Sequence, residues 1–271
     1  MDDQTMVFSP SCWVADMTRE EVMDGFVHHT KVAYAQVKND PAIVRQEDVA
    51  YGGGECQKVD VWGQVHDKLL IFVHGGYWAE GSRKDCLMPA KCAMANGFAF
   101  ASVGYGLAIG GRTLTETVKD VVDGVAFLLQ KYPNANQVIV GGHSAGAMLA
   151  FHAVSRLRDE RIRGLLIFSG CFFLKELVDT EIGKEISLTH EQAKENSCDL
   201  KLLDGLNLKI FVVLGLQECP KLITQNFEFA REREEAVLQK YSFGNHYTIM
   251  TNLLYSDTED TKVLSKFLSG F

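Results

Sequence analysis

Five short apolar runs, each ending on small residues, constrain the fold of this chain more than any other feature. They are Lys68–Val73 before His74-Gly75-Gly76, Phe98–Val103 before Gly104, Gln137–Val140 before Gly141-Gly142, Gly164–Phe168 before Ser169-Gly170, and Lys209–Leu214 before Gly215. Runs that are apolar at successive rather than alternate positions are buried on both faces, which is how strands of a parallel sheet read. Gln57–Trp62 reads as a further strand. Between the runs, Leu114–Lys131 carries most of its apolar residues on one helical face and is followed by Pro133. Thr18–Lys38 and Thr224–Tyr241 show the same periodicity. Strand and helix in alternation predict a doubly wound, mostly parallel α/β sheet flanked by helices. Ligands of such sheets bind beyond the carboxyl ends of the strands, so the chemistry is to be sought just after each run.

The chain has 271 residues and no repeat or linker-like tract, so residues 1–271 parse as one domain. Its net charge of −8 leaves no basic stripe for nucleic acid and no polybasic anchor for a membrane. The longest apolar-looking stretch, Val138–Val154, is too short for a span and contains His143, Ser144 and His152. The seven cysteines are odd in number and form no C-x-x-C pair, which reads as free thiols of a reducing compartment. The opening MDDQTMVFSP lacks a signal-type apolar region, so a cytoplasmic protein is expected. No H-x-x-x-H or H-E-x-x-H occurs, and Gly52-Gly53-Gly54 lacks the lysine of a phosphate loop. Neither a metal nor another cofactor is expected.

Gly142-His143-Ser144-Ala145-Gly146 follows one strand and opens the helical pattern Ala147–Leu157. G-x-S-x-G in that context places Ser144 on a sharp strained turn as a nucleophile, with glycines two residues either side to clear space. His74-Gly75-Gly76-Tyr77-Trp78 follows another strand. Its glycines leave room for the N–H groups of Gly75 and Gly76, with that of Ala145, to form an oxyanion hole. Tyr77, Trp78 and His143 are expected to line the substrate pocket, with a core role as the alternative for the two aromatics. The chain order of such sites is nucleophile, acid, histidine. His152 should turn away from Ser144, and His190 lies in a polar helical stretch. His246, in a glycine-bearing loop, is the candidate base. Glu218, just after Lys209–Leu214, is the candidate acid, with Asp179 as the alternative. Cys219 stands beside it.

These residues resemble the kynurenine formamidase (arylformamidase) family of the α/β-hydrolase superfamily, from about Ser9 to the C-terminus. The more specific matches are Ser9-Pro10-Ser11-Cys12-Trp13, Gly54–Asp60, Val125-Ala126-Phe127, Lys131-Tyr132-Pro133, Leu188–Ala193 with Asn196-Ser197, and His246–Ile249. The resemblance implies an α/β-hydrolase fold with a small cap or none. It implies hydrolysis of N-formyl-L-kynurenine to formate and L-kynurenine in tryptophan catabolism, a small aromatic formamide as partner, and a homodimer. The chain departs from the family pattern at Glu218-Cys219-Pro220, where Asp-Ser-Pro is usual. It departs again at Tyr105-Gly106-Leu107-Ala108-Ile109, where Tyr-Asp and a later Ala-Pro are common. A small-acyl carboxylesterase of the same fold, or a catalytically impaired homologue, are the alternative readings.

Overall fold

The computed structural model describes residues 1–271. Its strands are β1 (Arg45–Ala50), β2 (Lys58–Trp62), β3 (Lys68–Val73), β4 (Ala99–Val103), β5 (Gln137–His143), β6 (Ile162–Phe168), β7 (Lys209–Gln217) and β8 (Ala236–Asn245). Its α-helices are α1 (Asp3–Met6), α2 (Arg19–Lys38), α3 (Ala90–Ala95), α4 (Leu114–Lys131), α5 (Ala145–Leu157), α6 (Glu181–Glu185), α7 (His190–Asn196), α8 (Pro220–Glu232), α9 (Thr248–Thr251) and α10 (Glu259–Leu268). The strands form one sheet in the order β1-β2-β4-β3-β5-β6-β7-β8. β2 runs antiparallel to both neighbours, and from β4 to β8 every pairing is parallel.

The continuous apolar runs are explained by a core on each face. Leu69, Ile71 and Val73 of β3 pack on one side with α4, α5 and α8 residues such as Val121, Leu149 and Phe229. Leu70 and Phe72 pack on the other with Ala33 and Val37 of α2, and with Leu264 and Leu268 of α10. Alternate residues of one strand point to opposite faces, so a strand with two cores has no polar side. The long helices are bounded as their sequences suggest. Thr18 and Thr113 cap α2 and α4 in reciprocal capping boxes with Glu21 and Glu116. No helix is long and apolar enough to cross a membrane.

The expected helix over Thr224–Tyr241 is corrected. α8 stops at Glu232, Arg233 is extended, and Ala236–Asn245 forms β8. β8 is an edge strand paired only with β7, and most of its residues are at least partly exposed. It therefore lacks a continuous apolar run, and its mixed polarity imitates a helix face. β1, at the opposite edge, is similarly polar (RQEDVA) and gives no strand signal in the sequence.

Candidate active site

β5 ends at His143, and Ser144 turns the chain directly into α5. Ser144 has φ 55° and ψ −124°, a strained conformation for a residue with a side chain. The turn is tight enough to explain both flanking glycines. A Cβ on Gly142 would lie 2.3 Å from the carbonyl of Gly146, and one on Gly146 would lie 2.3 Å from that of Val73. Ala145 is the first residue of α5, so its N–H has no partner within the helix. Ser144 and His246 line the same cavity.

The register of the last two strands brings acid and base together. Gln217 of β7 pairs with Asn245 of β8, so the next residues, Glu218 and His246, emerge side by side. The register shift that permits this passes through Gly215, where a Cβ would lie 2.4 Å from the Gly244 oxygen. His246 Nδ1–H donates to Glu218 Oε2 at 2.5 Å. Ser169 Oγ–H donates to the same oxygen at 2.7 Å, and the Cys219 N–H donates to Oε1 at 2.8 Å. Both carboxylate oxygens are thus held, and Glu218 is only 3% exposed. With Nδ1 protonated, a neutral His246 carries its lone pair on Nε2, the nitrogen a base needs.

Ser169 is a member of this network that the sequence reading passed over. It lies one residue beyond β6, where β5–β6 pairing (His143 with Phe168) sets it beside Ser144. The rule that useful residues follow strand ends points to it. Nothing local separates it from an ordinary turn serine.

The loop after β3 carries three consecutive residues with positive φ: Gly76 at 102°, Tyr77 at 45° and Trp78 at 61°. A Cβ on Gly75 would sit 3.0 Å from Ser144 Cβ, which measures how closely the loop approaches the nucleophile. The N–H groups of Gly75 and Gly76 donate to no protein acceptor, whereas the Gly76 carbonyl accepts from Ala79 and Glu80. The loop is held from beneath. His74 Nδ1–H donates to the Gly75 carbonyl at 2.9 Å, its ring stacks on Tyr105 at 4.1 Å, and Tyr105 Oη–H donates to the His74 carbonyl at 3.0 Å. Burial pushes the His74 imidazole down to about 4, so it stays neutral.

The cavity has a volume of about 530 Å³, within the range of small-molecule sites. Its roof is not an inserted domain. It comes from the N-terminal segment (Thr5, Ser9, Ser11), the first turns of α2 (Met23, Phe26) and α6. Tyr77 lines it and fastens the roof, its hydroxyl donating to the Phe8 carbonyl at 2.5 Å. His143 lines it too, with Nε2–H donating to the His246 carbonyl at 2.9 Å. Trp78 does not line it and is a correction. Its positive φ turns the indole into the core, where it is fully buried. Phe26 and Tyr247 form an aromatic wall at 5.1 Å between ring centroids. The alternative acid Asp179 is exposed and away from the cavity, His190 is exposed, and His152 is bonded to the Asn196 carbonyl. Cys219 is fully buried, and burial beside Glu218 holds its thiol well above the ordinary range. That suppresses thiolate chemistry there. At Gly106, the other departure from the family pattern, the backbone N–H donates to Asp120 Oδ2 at 2.9 Å, the same carboxylate that pairs with Arg112.

This fold, with a strained serine at the strand–helix elbow, defines the class. The chain belongs to the α/β-hydrolase family, whose model for the alpha/beta hydrolase fold matches residues 70–209. Among individual proteins, it is 26% identical, over an alignment 285 positions long, to the kynurenine formamidase of Salmo salar, covering 98% of this chain and 96% of that one. It is 27% identical to the kynurenine formamidase of Danio rerio with the same coverage. Among solved structures, a candidate thioesterase from Silicibacter sp. superposes with a TM-score of 0.80 at 18% identity, covering 98% of this chain and all of that one. An esterase of Pyrobaculum calidifontis superposes at 0.67 with 17% identity, covering 94% of each chain. At such identities the structural likeness establishes the fold alone.

Proposed function

We propose that this protein hydrolyses N-formyl-L-kynurenine to formate and L-kynurenine through Ser144, His246 and Glu218. The observation that carries the substrate is the similarity, over nearly the whole of both chains, to the two fish kynurenine formamidases. The geometry supplies a matching chemistry. His246 Nε2 takes the Ser144 hydroxyl proton as Oγ bonds to the formyl carbon. The N–H groups of Gly75, Gly76 and Ala145 hold the resulting oxyanion, which they fit better than the planar amide. His246 returns the proton to the aryl nitrogen as the C–N bond breaks, releasing the aromatic amine and leaving Ser144 formylated. Water then adds to the formyl carbon, giving its proton to His246. Collapse breaks the Oγ–C bond, returns that proton to Ser144 and releases formic acid, which ionises to formate. Glu218 keeps its negative charge throughout and stabilises the imidazolium.

A formyl group has no side chain and needs almost no acyl pocket. Selectivity therefore rests with the leaving group, for which Phe26, Tyr77 and Tyr247 offer aromatic surface. The seven cysteines are all free thiols, which suits a reducing, cytoplasmic setting. The test is formate release from N-formyl-L-kynurenine by wild type and by Ser144→Ala. Release by wild type that disappears in the variant supports the reading. Equal release by both removes Ser144 from the mechanism.

A further inference from the structure

The geometry points to His143 as the residue that adapts this site to amides rather than esters, its Nδ1 accepting the N–H of the scissile formamide in the transition state. This rests on the formamidase reading above and adds an atom and a role to it.

The argument starts from the tautomer. His143 Nε2 lies 2.9 Å from the His246 carbonyl, which can only accept, so Nε2 carries the hydrogen. In the neutral ring Nδ1 is then a lone-pair acceptor. Burial, reinforced by the neighbouring His246, holds the His143 imidazole well below its ordinary range, so the ring is neutral in the working enzyme. Nδ1 makes no hydrogen bond within the protein, yet it is not among the sealed, unpartnered polar atoms of the interior. His143 lines the cavity, so the open side of Nδ1 is the substrate side.

Its position suits the role. The His143 ring centroid is 4.5 Å from that of His246, and Nδ1 lies 3.5 Å from where a Cβ on Gly75 would be. The acceptor thus sits between the base and the oxyanion loop, the interval that a bound formamide spans with nitrogen toward His246 and oxygen toward Gly75. As the C–N bond breaks, the nitrogen pyramidalises and turns its lone pair to the proton on His246 Nε2. Its own N–H must then point elsewhere, and an acceptor already in place stabilises that geometry only in the transition state. The leaving oxygen of an ester carries no hydrogen and gains nothing.

Two substitutions separate this role from support of the His246 backbone. His143→Gln keeps a donor near the Nε2 position and loses the acceptor at Nδ1. His143→Asn keeps an acceptor near Nδ1 and loses the bond to the His246 carbonyl. The readout is kcat/KM on N-formyl-L-kynurenine and on 4-nitrophenyl acetate. His143→Gln should lower the formamide-to-ester ratio of kcat/KM by ~10- to 100-fold, whatever common loss the two substrates share. His143→Asn should slow both substrates together, leaving their ratio within ~3-fold of wild type. A substrate-side arm needs no folded variant: wild type should cleave an N-methylated arylformamide at least ~10-fold less well than its N–H parent. The substrate penalty should also shrink in His143→Gln, as coupling through one hydrogen bond requires. An unchanged formamide-to-ester ratio in His143→Gln, or equal cleavage of N-methyl and N–H substrates by wild type, overturns the assignment while leaving the formamidase reading intact. Wild type that cleaves the ester but not the formamide overturns both.

Discussion

Replacing Glu218 by Gln isolates the part of the proposed machinery that can be reasoned most completely from the structure. The carboxylate accepts three hydrogen bonds, from His246 Nδ1, Ser169 Oγ and the Cys219 N–H. The Cys219 donor is backbone and cannot reverse its polarity. A glutamine oxygen must therefore take the Oε1 position, which turns its NH₂ toward His246 Nδ1. That nitrogen can then only accept, so the ring is driven to the tautomer with its hydrogen on Nε2 and cannot deprotonate Ser144. The equivalent acid-to-amide change in a serine protease lowers kcat by ~10⁴. A loss of ~10³–10⁴ is expected here, corresponding to ~4–5.5 kcal/mol of barrier. The substitution is isosteric and keeps the Cys219 contact, so the cost in folding stability should stay within ~2 kcal/mol. The assay is steady-state formate release, with urea unfolding to confirm a folded variant. A folded Glu218→Gln enzyme with kcat within ~10-fold of wild type would refute the tautomer argument.

Further consequences can be measured independently. Gly146→Ala places a Cβ 2.3 Å from the Val73 oxygen and 2.4 Å from that of His74. Both obstacles are backbone, so a loss of ~3 kcal/mol or more is expected in urea unfolding, and an unchanged midpoint contradicts the tight-elbow account. Tyr77→Phe removes the hydroxyl that fastens the Phe8 carbonyl. KM should rise more than kcat falls, with ~1–2 kcal/mol lost in stability and faster cleavage of the N-terminal segment in limited proteolysis. His74 and His152 are buried neutral, each pushed from 6.5 to about 4. Their rings are protonated first in the unfolded chain, so the stability they contribute is intact above pH 6.5 and is lost as pH falls toward 4. Each shift is worth about 3 kcal/mol across that window. His152→Gln, which retains a donor for the Asn196 carbonyl, should flatten the pH dependence of the urea midpoint between pH 7 and 4.5, each histidine contributing up to ~1.4 kcal/mol per pH unit. A slope equal to wild type would count against a buried neutral His152.

The sequence disclosed most about the centre of the sheet and least about its edges. β3 and β7 announce themselves because two cores demand apolar residues at every position. β1 and β8 do not, since an edge strand with partly wet faces carries no such run. The same distinction governs the site. Ser144, Gly75 and Gly76 are legible because local geometry leaves a local motif, small residues at fixed offsets. Glu218 and His246 are legible by chain order, although their meeting depends on the β7–β8 register and the shift at Gly215. Ser169 has no local signature, because its role exists only once three strand ends converge. Trp78 is misread for a related reason. Two consecutive aromatics after the glycines look equivalent in the sequence, and only the backbone turn decides that Tyr77 faces the cavity while Trp78 enters the core. The roof built from the N-terminus is likewise a long-range event, carried by contacts such as Tyr77 to Phe8.

The central claim is that this serine hydrolase site is directed at an aryl formamide. Its most direct test is the ratio of kcat/KM for N-formyl-L-kynurenine to that for 4-nitrophenyl acetate, measured on the same wild-type preparation. The account predicts efficient formate release, with the formamide cleaved at least comparably to the ester. A formamide rate ~100-fold or more below the ester, about 2.7 kcal/mol of barrier, would contradict it and leave a small-acyl esterase.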